Sequence, residues 1–340
     1  MIKEAIAKIV EGTALSMAES EGVMMEIMQG KATSAQIGAF LTALRMKGES
    51  PSEIAGCARA MRKSAIPVKP RGRDLIDTCG TGGDASGTFN ISTIAAFVVA
   101  GAGLSVAKHG NRSVSSRCGS ADLMEALGVN IHLTAEQVAQ CIDEVGIGFL
   151  FAPSFHPAMK YAAPIRQEIG LRTIFNLLGP LTNPAETKRQ LLGVYRPELT
   201  EPMAEVLKAL GLEHAFVVCG SNGIDELSTS GVNKVVELND SQIRTFYLDP
   251  QELGLSKTSL NVLLGGDVAE NVTIAKSVLQ GEEGPKKEVV LLNAAAALYI
   301  GGKVKDLSQG LTLAAEAIDS GRALGKLKEL ARLSQNLGQS

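Results

Sequence analysis

The sequence predicts an α/β protein: a small N-terminal helical domain and a larger α/β domain built on a central, mainly parallel sheet. Three observations predict it. The opening stretch carries four helix patterns in succession, the last three with start or stop signals. Beyond Pro67 and Pro70, short apolar strands alternate with helices, the pattern of a parallel sheet with crossover connections. From about Val268 the chain reads as helical again.

The elements follow in order. Ile2 to Val10 and Ala14 to Met28 are helical patterns, the second closed by Gly30. Thr33 with Gln36 makes a capping box for a helix to about Lys47, ended by Gly48. Ser50-Pro51-Ser52-Glu53 is a fuller start: Ser50 caps, Pro51 suits the first helical position and Glu53 reaches back. That helix runs to about Ser64, and Lys69 to Arg73 is its exit linker. Asp74 to Asp77 is a strand that runs into a glycine-rich loop, Gly80 to Gly87, and then a helix from Ile91 to Gly101. Leu104 to Lys108 is the next strand. Ser120 is expected to cap a helix to Gly128, and Thr134 with Gln137 another to about Val145. Ile147 to Phe151 is a strand, and Pro157 to Gly179 is helical with an interruption at Pro164. Further strands are expected at Gln190 to Tyr195, His214 to Cys219, Val232 to Leu238 and Ile243 to Leu248. The resulting domain expectation is a helical unit at 1–69, joined by helices from about 157–184, with the α/β domain at 70–156 and 185–340.

Composition narrows the function. The formal net charge is −3 with acids and bases interspersed, so no basic field for nucleic acid or anionic lipid is expected. Apolar runs are too short to span a bilayer, and the N-terminus lacks the shape of a signal peptide, so a cytoplasmic location is expected. The five cysteines are widely spaced without a CxxC pair, which argues for free thiols and against a structural zinc site. The four histidines show no HxxxH spacing, and no GxSxG elbow is present.

Four segments carry candidate chemistry. Cys79-Gly80-Thr81-Gly82-Gly83-Asp84 lies between a strand and a helix, where backbone N–H groups and a helix N-terminus can hold an anion. It is neither GxGxxG nor a Walker loop, and a plain turn fits the bare glycine cluster equally well. Lys108-His109-Gly110-Asn111-Arg112-Ser113-Val114-Ser115-Ser116, on to Ser120, follows a strand and suits a polyanion; a solvated loop is the bland alternative. Asp225 and Glu226 in Gly223-Ile224-Asp225-Glu226 could hold Mg2+, although adjacent acids are common on surfaces. Arg166, upstream of Leu177-Leu178-Gly179-Pro180-Leu181-Thr182-Asn183-Pro184, has the fork geometry for a carboxylate.

Taken together, GTGGD at Gly80 to Asp84, KHGNRSVSS at Lys108 to Ser116, the Arg166 segment, LLGPLTNP at Leu177 to Pro184 and GIDE at Gly223 to Glu226 closely resemble the anthranilate phosphoribosyltransferase family over the whole chain. The resemblance implies a nucleoside-phosphorylase-like phosphoribosyltransferase fold and a homodimer joined through the helical domains. It implies transfer of the 5-phosphoribosyl group of phosphoribosyl pyrophosphate (PRPP) to anthranilate, with Mg2+. It places PRPP on Gly80, Gly83, Asp84, Thr88, Asn90, Ile91, Ser92, Thr93, Lys108, His109, Gly110, Asn111, Arg112, Ser113, Val114, Ser115, Ser116 and Ser120. It gives Ser92, Asp225 and Glu226 to the metal, and Gly80, Asn111 and Arg166 to anthranilate. Lys108, Arg166, Asp225 and Glu226 are the residues expected to carry catalysis. Two rivals differ in ways that can be read: a nucleoside phosphorylase of related fold would need neither Mg2+ nor the acid pair, and a nucleic-acid-binding relative would show a basic surface.

Overall fold

The computed structural model describes residues 1–72, 74–113 and 117–339. The N-terminal stretch forms α1 (Ile2–Val10), α2 (Met17–Met28), α3 (Ser34–Lys47) and α4 (Pro51–Ser64). The capping boxes of Thr33 with Gln36 and of Ser50 with Glu53 are both formed. α2 starts later than Ala14 because Ser16 and Glu19 make a further capping box. Glu53 does more than cap. Its fully buried carboxylate also accepts the Leu15 N–H at 3.0 Å and Lys47 Nζ at 2.8 Å. Burial alone would raise its pKa, but these donors outweigh burial and hold it below the ordinary value. The start of α4 is thereby pinned to the loop that precedes α2.

After the linker come β1 (Leu75–Gly80), α5 (Ile91–Gly101), β2 (Ser105–Gly110), β3 (Ile147–Phe151), β4 (Arg189–Gly193), β5 (His214–Cys219), β6 (Asn233–Asn239) and β7 (Gln242–Leu248). They form one sheet in the order β3-β2-β1-β4-β5-β6-β7 among the described residues. β1 to β5 pair in parallel, and β6 and β7 join antiparallel. The chain builds β2 and β3 on one side of β1, then crosses back to place β4 and β5 on the other. Such a reversal leaves a crevice outside the carboxyl ends of β1 and β4, the usual ligand position in open α/β sheets.

Period-two alternation divides the strands between two cores. Leu191, Phe216, Val218 and Val235 face a core with α5 and the C-terminal helices. Leu192, Ala215, Val217, Cys219 and Val236 face a second core shared with α1 to α4. The helix Thr200–Ala209 belongs to the second core, packing on α4, β5 and β6. The helical unit is therefore seated on one face of the sheet by a continuous apolar layer.

Two local expectations are corrected. Ser120 is the first residue of its helix, Ser120–Ala126, and not its cap; Gly119 holds the cap position and its N–H goes to Asp122 at 2.9 Å. Ser120 Oγ instead donates to the Asn111 carbonyl at 3.3 Å. Pro164 does not interrupt a helix but opens one, Ala163–Ile169, since proline has no N–H to lose in a first turn. This helix packs on α3, and the short helix Phe175–Leu178 packs on α4.

Candidate active site

β1 ends at Gly80, in register with Gly193 at the end of β4. Beyond β5 the chain turns through Ser221–Gly223 and lays Asp225 across both strand ends. A Cβ at Gly80 would strike the Asp225 carboxylate, and one at Gly193 the Asp225 backbone carbonyl. Both positions are glycine because another chain segment approaches the backbone there. Asp225 Oδ2 accepts the Gly82 N–H at 2.7 Å, and Glu226 Oε1 accepts the Ser92 N–H at 3.1 Å. The glycine-rich loop, the start of α5 and the acid pair thus form one site from segments far apart in sequence.

Its electrostatics are unusual. Burial, then repulsion from Asp84, pushes the Asp225 carboxyl up to about 7. Burial, then the charge of Asp225, pushes Glu226 up to about 8. Lys108 is only 1% exposed, and its Nζ donates to the Thr78 carbonyl at 2.5 Å and lies 3.5 Å from Ser92 Oγ. Lys108, His109 and Gly110 belong to β2 and do not begin the loop after it. Under the lysine, buried Asp77 accepts Asn183 Nδ2 at 2.8 Å and the His109 N–H at 3.3 Å. Two buried carboxyls that resist ionisation, beside a third acid, call for a cation. Among the described residues no three His, Cys, Asp or Glu side chains converge as a metal cage. A hard divalent ion here would complete its shell with a hydroxyl, water and ligand oxygens, which is the habit of Mg2+.

The glycine-rich loop is held at both ends and open between them. Thr81 N–H bonds the Gly193 carbonyl, and Thr88 forms a bridge to Leu264. Asp84 is engaged by Ser86 Oγ at 2.6 Å. The N–H groups of Gly83, Asp84 and Ala85 donate to no acceptor among the described residues. Asn90 stands at the α5 cap without capping it; its Nδ2 donates to the Cys118 carbonyl. Unused donors in a loop that leads into a helix N-terminus are a site for an anion. Buried polar atoms without partners cluster on the same segments: Thr81 Oγ1, Asn90 Oδ1, Thr93 Oγ1 and His109 Nε2, together with His156 Nε2 and Thr173 Oγ1. Such orphans normally find partners, so their concentration marks a place for a polar ligand.

The remaining candidates fall at different distances from this centre. Ile91 is buried in the first turn of α5. Gly110 packs against Ser120 and Phe149, and Asn111 Oδ1 accepts the Arg112 N–H. Arg112 is paired with Asp122 at 2.8 Å and Glu125 at 3.0 Å, and the Ser113 N–H donates to Asp122. Val114, Ser115 and Ser116 lie outside the described residues. Arg166 makes no hydrogen bond or ion pair to the acid pair or the glycine-rich loop among the described residues. Its guanidinium stacks 4.9 Å from the Phe175 ring, and no carboxylate pairs with it among the described residues. His109 and His156 stack at 5.3 Å. Burial, then mutual repulsion, lowers His109 to about 3, and burial lowers His156 to about 4.

Sequence reasoning missed Arg172. It donates to the Gly83 carbonyl and stacks 4.5 Å from the Tyr195 ring. No local signal marks it: it falls in the stretch Pro157 to Gly179 expected to be helical, where an isolated arginine reads as a surface residue, whereas the structure places it in an irregular link.

Comparison with known proteins covers the full architecture. A family model described as "Glycosyl transferase family, helical bundle domain" matches residues 3–65, and one described as "Glycosyl transferase family, a/b domain" matches residues 72–324. An anthranilate phosphoribosyltransferase from Desulforamulus reducens is 53% identical over 99% of this chain and 98% of its own length. The crystal structure of the anthranilate phosphoribosyltransferase from Thermus thermophilus superposes with a TM-score of 0.93 at 46% identity, covering 97% of this chain and 99% of that one. The Saccharomyces cerevisiae enzyme in complex with PRPP and Mg superposes with a TM-score of 0.90 at 29% identity, covering 98% of each chain.

Proposed function

The chain belongs to the anthranilate phosphoribosyltransferase family, and from that premise we infer that it transfers the 5-phosphoribosyl group of PRPP to the amine of anthranilate. The products are N-(5-phosphoribosyl)anthranilate and pyrophosphate, and the reaction serves tryptophan biosynthesis. The observation that carries this reading is the free N–H run of Gly83 to Ala85 beside the buried Asp225–Glu226 pair, at the sheet's switch point. A nucleoside phosphorylase would have no use for that acid pair.

Ser92, Asp225 and Glu226 would hold Mg2+, and the buried, mutually repelling carboxyls fit that ion. When bound, Mg2+ neutralises phosphoryl charge on the leaving pyrophosphate. The chain's own groups do the rest. In the reaction the C1–O bond to pyrophosphate breaks and the C1–N bond forms. Negative charge then grows on pyrophosphate, and the loop N–H groups with the α5 N-terminus are already oriented to receive it. Gly80, Gly83, Asp84, Thr88, Asn90 to Thr93, Lys108 to Ser113 and Ser120 line the PRPP side. Lys108 contributes positive potential from below, through Ser92, with no need for an exposed ammonium.

Anthranilate falls to Gly80, Asn111 and Arg166. Arg166 is held against Phe175 with its fork unpaired, ready for a carboxylate. Arg166→Ala should therefore raise the anthranilate KM about 10–100-fold, the equivalent of a charge-assisted bond, with little change for PRPP. Steady-state constants for both substrates decide it; an effect on PRPP alone would move Arg166 elsewhere.

No side chain is required as a general base. An aromatic amine is unprotonated at neutral pH, and the proton it sheds after attack can pass to water or pyrophosphate. His109 and His156 are the nearest candidates, and with pKa values of about 3 and 4 both stay neutral above pH 5. Neither changes charge where the ordinary value, 6.5, would place a limb. His109→Ala and His156→Ala should each keep activity within about 10–100-fold of the parent, below the upper range for a required base. The check is the pH profile of single-turnover rate. A limb near the ordinary histidine pKa that vanishes in either variant, with a loss above about 10³-fold, would establish a histidine base.

The reading extends to assembly and location. Val10 and Met46 are strongly exposed apolar side chains on α1 and α3, which supports a homodimer through the helical unit. No helix among the described residues is long and apolar enough to cross a membrane, and the free cysteines suit the reducing cytoplasm. The direct test of function is purified protein with PRPP, Mg2+ and anthranilate, followed by loss of anthranilate fluorescence. Folded protein that leaves the fluorescence unchanged would overturn the reading.

A further inference from the structure

We propose that Arg172 is a positioning residue that couples the anthranilate segment to the PRPP loop by fixing the Gly83–Asp84 peptide. This rests on the assignment of the glycine-rich loop to PRPP given above.

The geometry begins with the link that carries the arginine. The helix Ala163–Ile169 ends at Gly170 in the left-handed conformation, with the Gly170 N–H on the Arg166 carbonyl. Arg172 follows in the short link before the helix Phe175–Leu178. One short stretch therefore carries two guanidinium groups, each on an aromatic face: Arg166 on Phe175 and Arg172 on Tyr195. Arg166 has no acceptor among the described residues, whereas Arg172 donates to the Gly83 carbonyl. Tyr195 lies two residues beyond Gly193, the end of β4, so the ring that seats Arg172 is anchored to the sheet edge where the site is built.

The bond has a directional consequence. A trans peptide is planar, with its carbonyl and the next N–H pointing opposite ways. Holding the Gly83 carbonyl toward Arg172 turns the Asp84 N–H away from it. On the other side Asp225 holds the Gly82 N–H. The Gly83 N–H lies between these two ties, and the Asp84 and Ala85 N–H groups follow the second; none of the three has a partner among the described residues. Gly82 and Gly83 both have positive φ, 67° and 76°, which glycine adopts without cost. Such backbone is free to adopt other shapes, so something must select this one. A Cβ at Gly83 would meet the Arg172 guanidinium, so a side chain there would push the arginine off this carbonyl. Asp225 and Arg172 thus act as two clamps, one on the acid loop and one on the anthranilate segment. Closing the second clamp aligns the N–H run for the phosphoryl oxygens.

The test uses the full-length protein. PRPP binding with Mg2+ is measured by calorimetry without anthranilate, and steady-state constants for both substrates are measured for Arg172→Ala, Arg172→Lys and Arg172→Gln. For Arg172→Ala we expect the Kd and KM of PRPP to rise about 10–100-fold, the range for a hydrogen bond from a charged group, with the thermal midpoint near that of the parent. Arg172→Lys keeps a charged donor but loses the planar stack on Tyr195, so it should recover part of the loss. Free guanidinium at millimolar concentration should restore PRPP binding to Arg172→Ala, which a general structural defect would not allow. If Arg172→Ala does not fold, Arg172→Gln, which keeps length and an amide donor, carries the same test. Unchanged PRPP binding in a folded variant, or a loss confined to anthranilate, would overturn the proposal. Failure of the parent protein itself to bind PRPP would instead overturn the functional reading.

Discussion

Replacing Asp225 by Asn and Glu226 by Gln together should reduce turnover on the order of 10³-fold or more, the equivalent of several kcal/mol of charge stabilisation. The fold should survive. Both replacements keep a carbonyl oxygen to accept the Gly82 and Ser92 N–H groups that the acids accept now. Removing two buried carboxyls that burial and mutual repulsion hold near neutrality should leave the thermal midpoint unchanged or higher without metal. Rates across a Mg2+ titration, with melting curves for parent and variant, separate the effects. Parental turnover of the double variant in excess EDTA would remove the metal role from this pair.

Gly193→Ala carries the second large effect, at a position that touches no substrate in the proposed scheme. Its Cβ would meet the Asp225 backbone carbonyl, and backbone cannot rotate aside as a side chain can. The Asp225 loop or the end of β4 must move, and a displacement near 1 Å at a catalytic group costs on the order of 10²-fold in rate. Forced repacking should also cost about 1–3 kcal/mol of stability. Gly325→Ala is the control, because a Cβ there meets nothing within 4 Å on the C-terminal helix Arg322–Gly338. It should leave rate and midpoint near parental values. Parental turnover in Gly193→Ala would show that the acid loop tolerates displacement.

Both effects depend on contacts that sequence reasoning reached only in part. GTGGD and GIDE were each recognisable as candidates, one for an anion and one for a cation. The Gly82–Asp225 and Ser92–Glu226 bonds that join them span 143 and 134 residues of sequence, and no spacing rule reveals them. Lys108 shows the same limit differently. Its segment reads as a polar loop after a strand, suited to a polyanion, yet Lys108 lies within β2, buried with its ammonium on a backbone carbonyl.

What the residues determined alone was whatever depends on near neighbours. The Thr33–Gln36 and Ser50–Glu53 boxes, the alternating strands and the glycine-rich turn are set by hydrogen bonds and sterics within a few positions. They were readable because those interactions recur wherever the same residues occur at the same spacing. Tertiary structure decided the rest. It required glycine at 193 by bringing Asp225 across the end of β4. It also set an unremarked Arg172 on the carbonyl of Gly83. In each case the deciding partner or packing arises only once the chain has folded, since burial and close approach belong to the assembled sheet and not to any stretch of sequence.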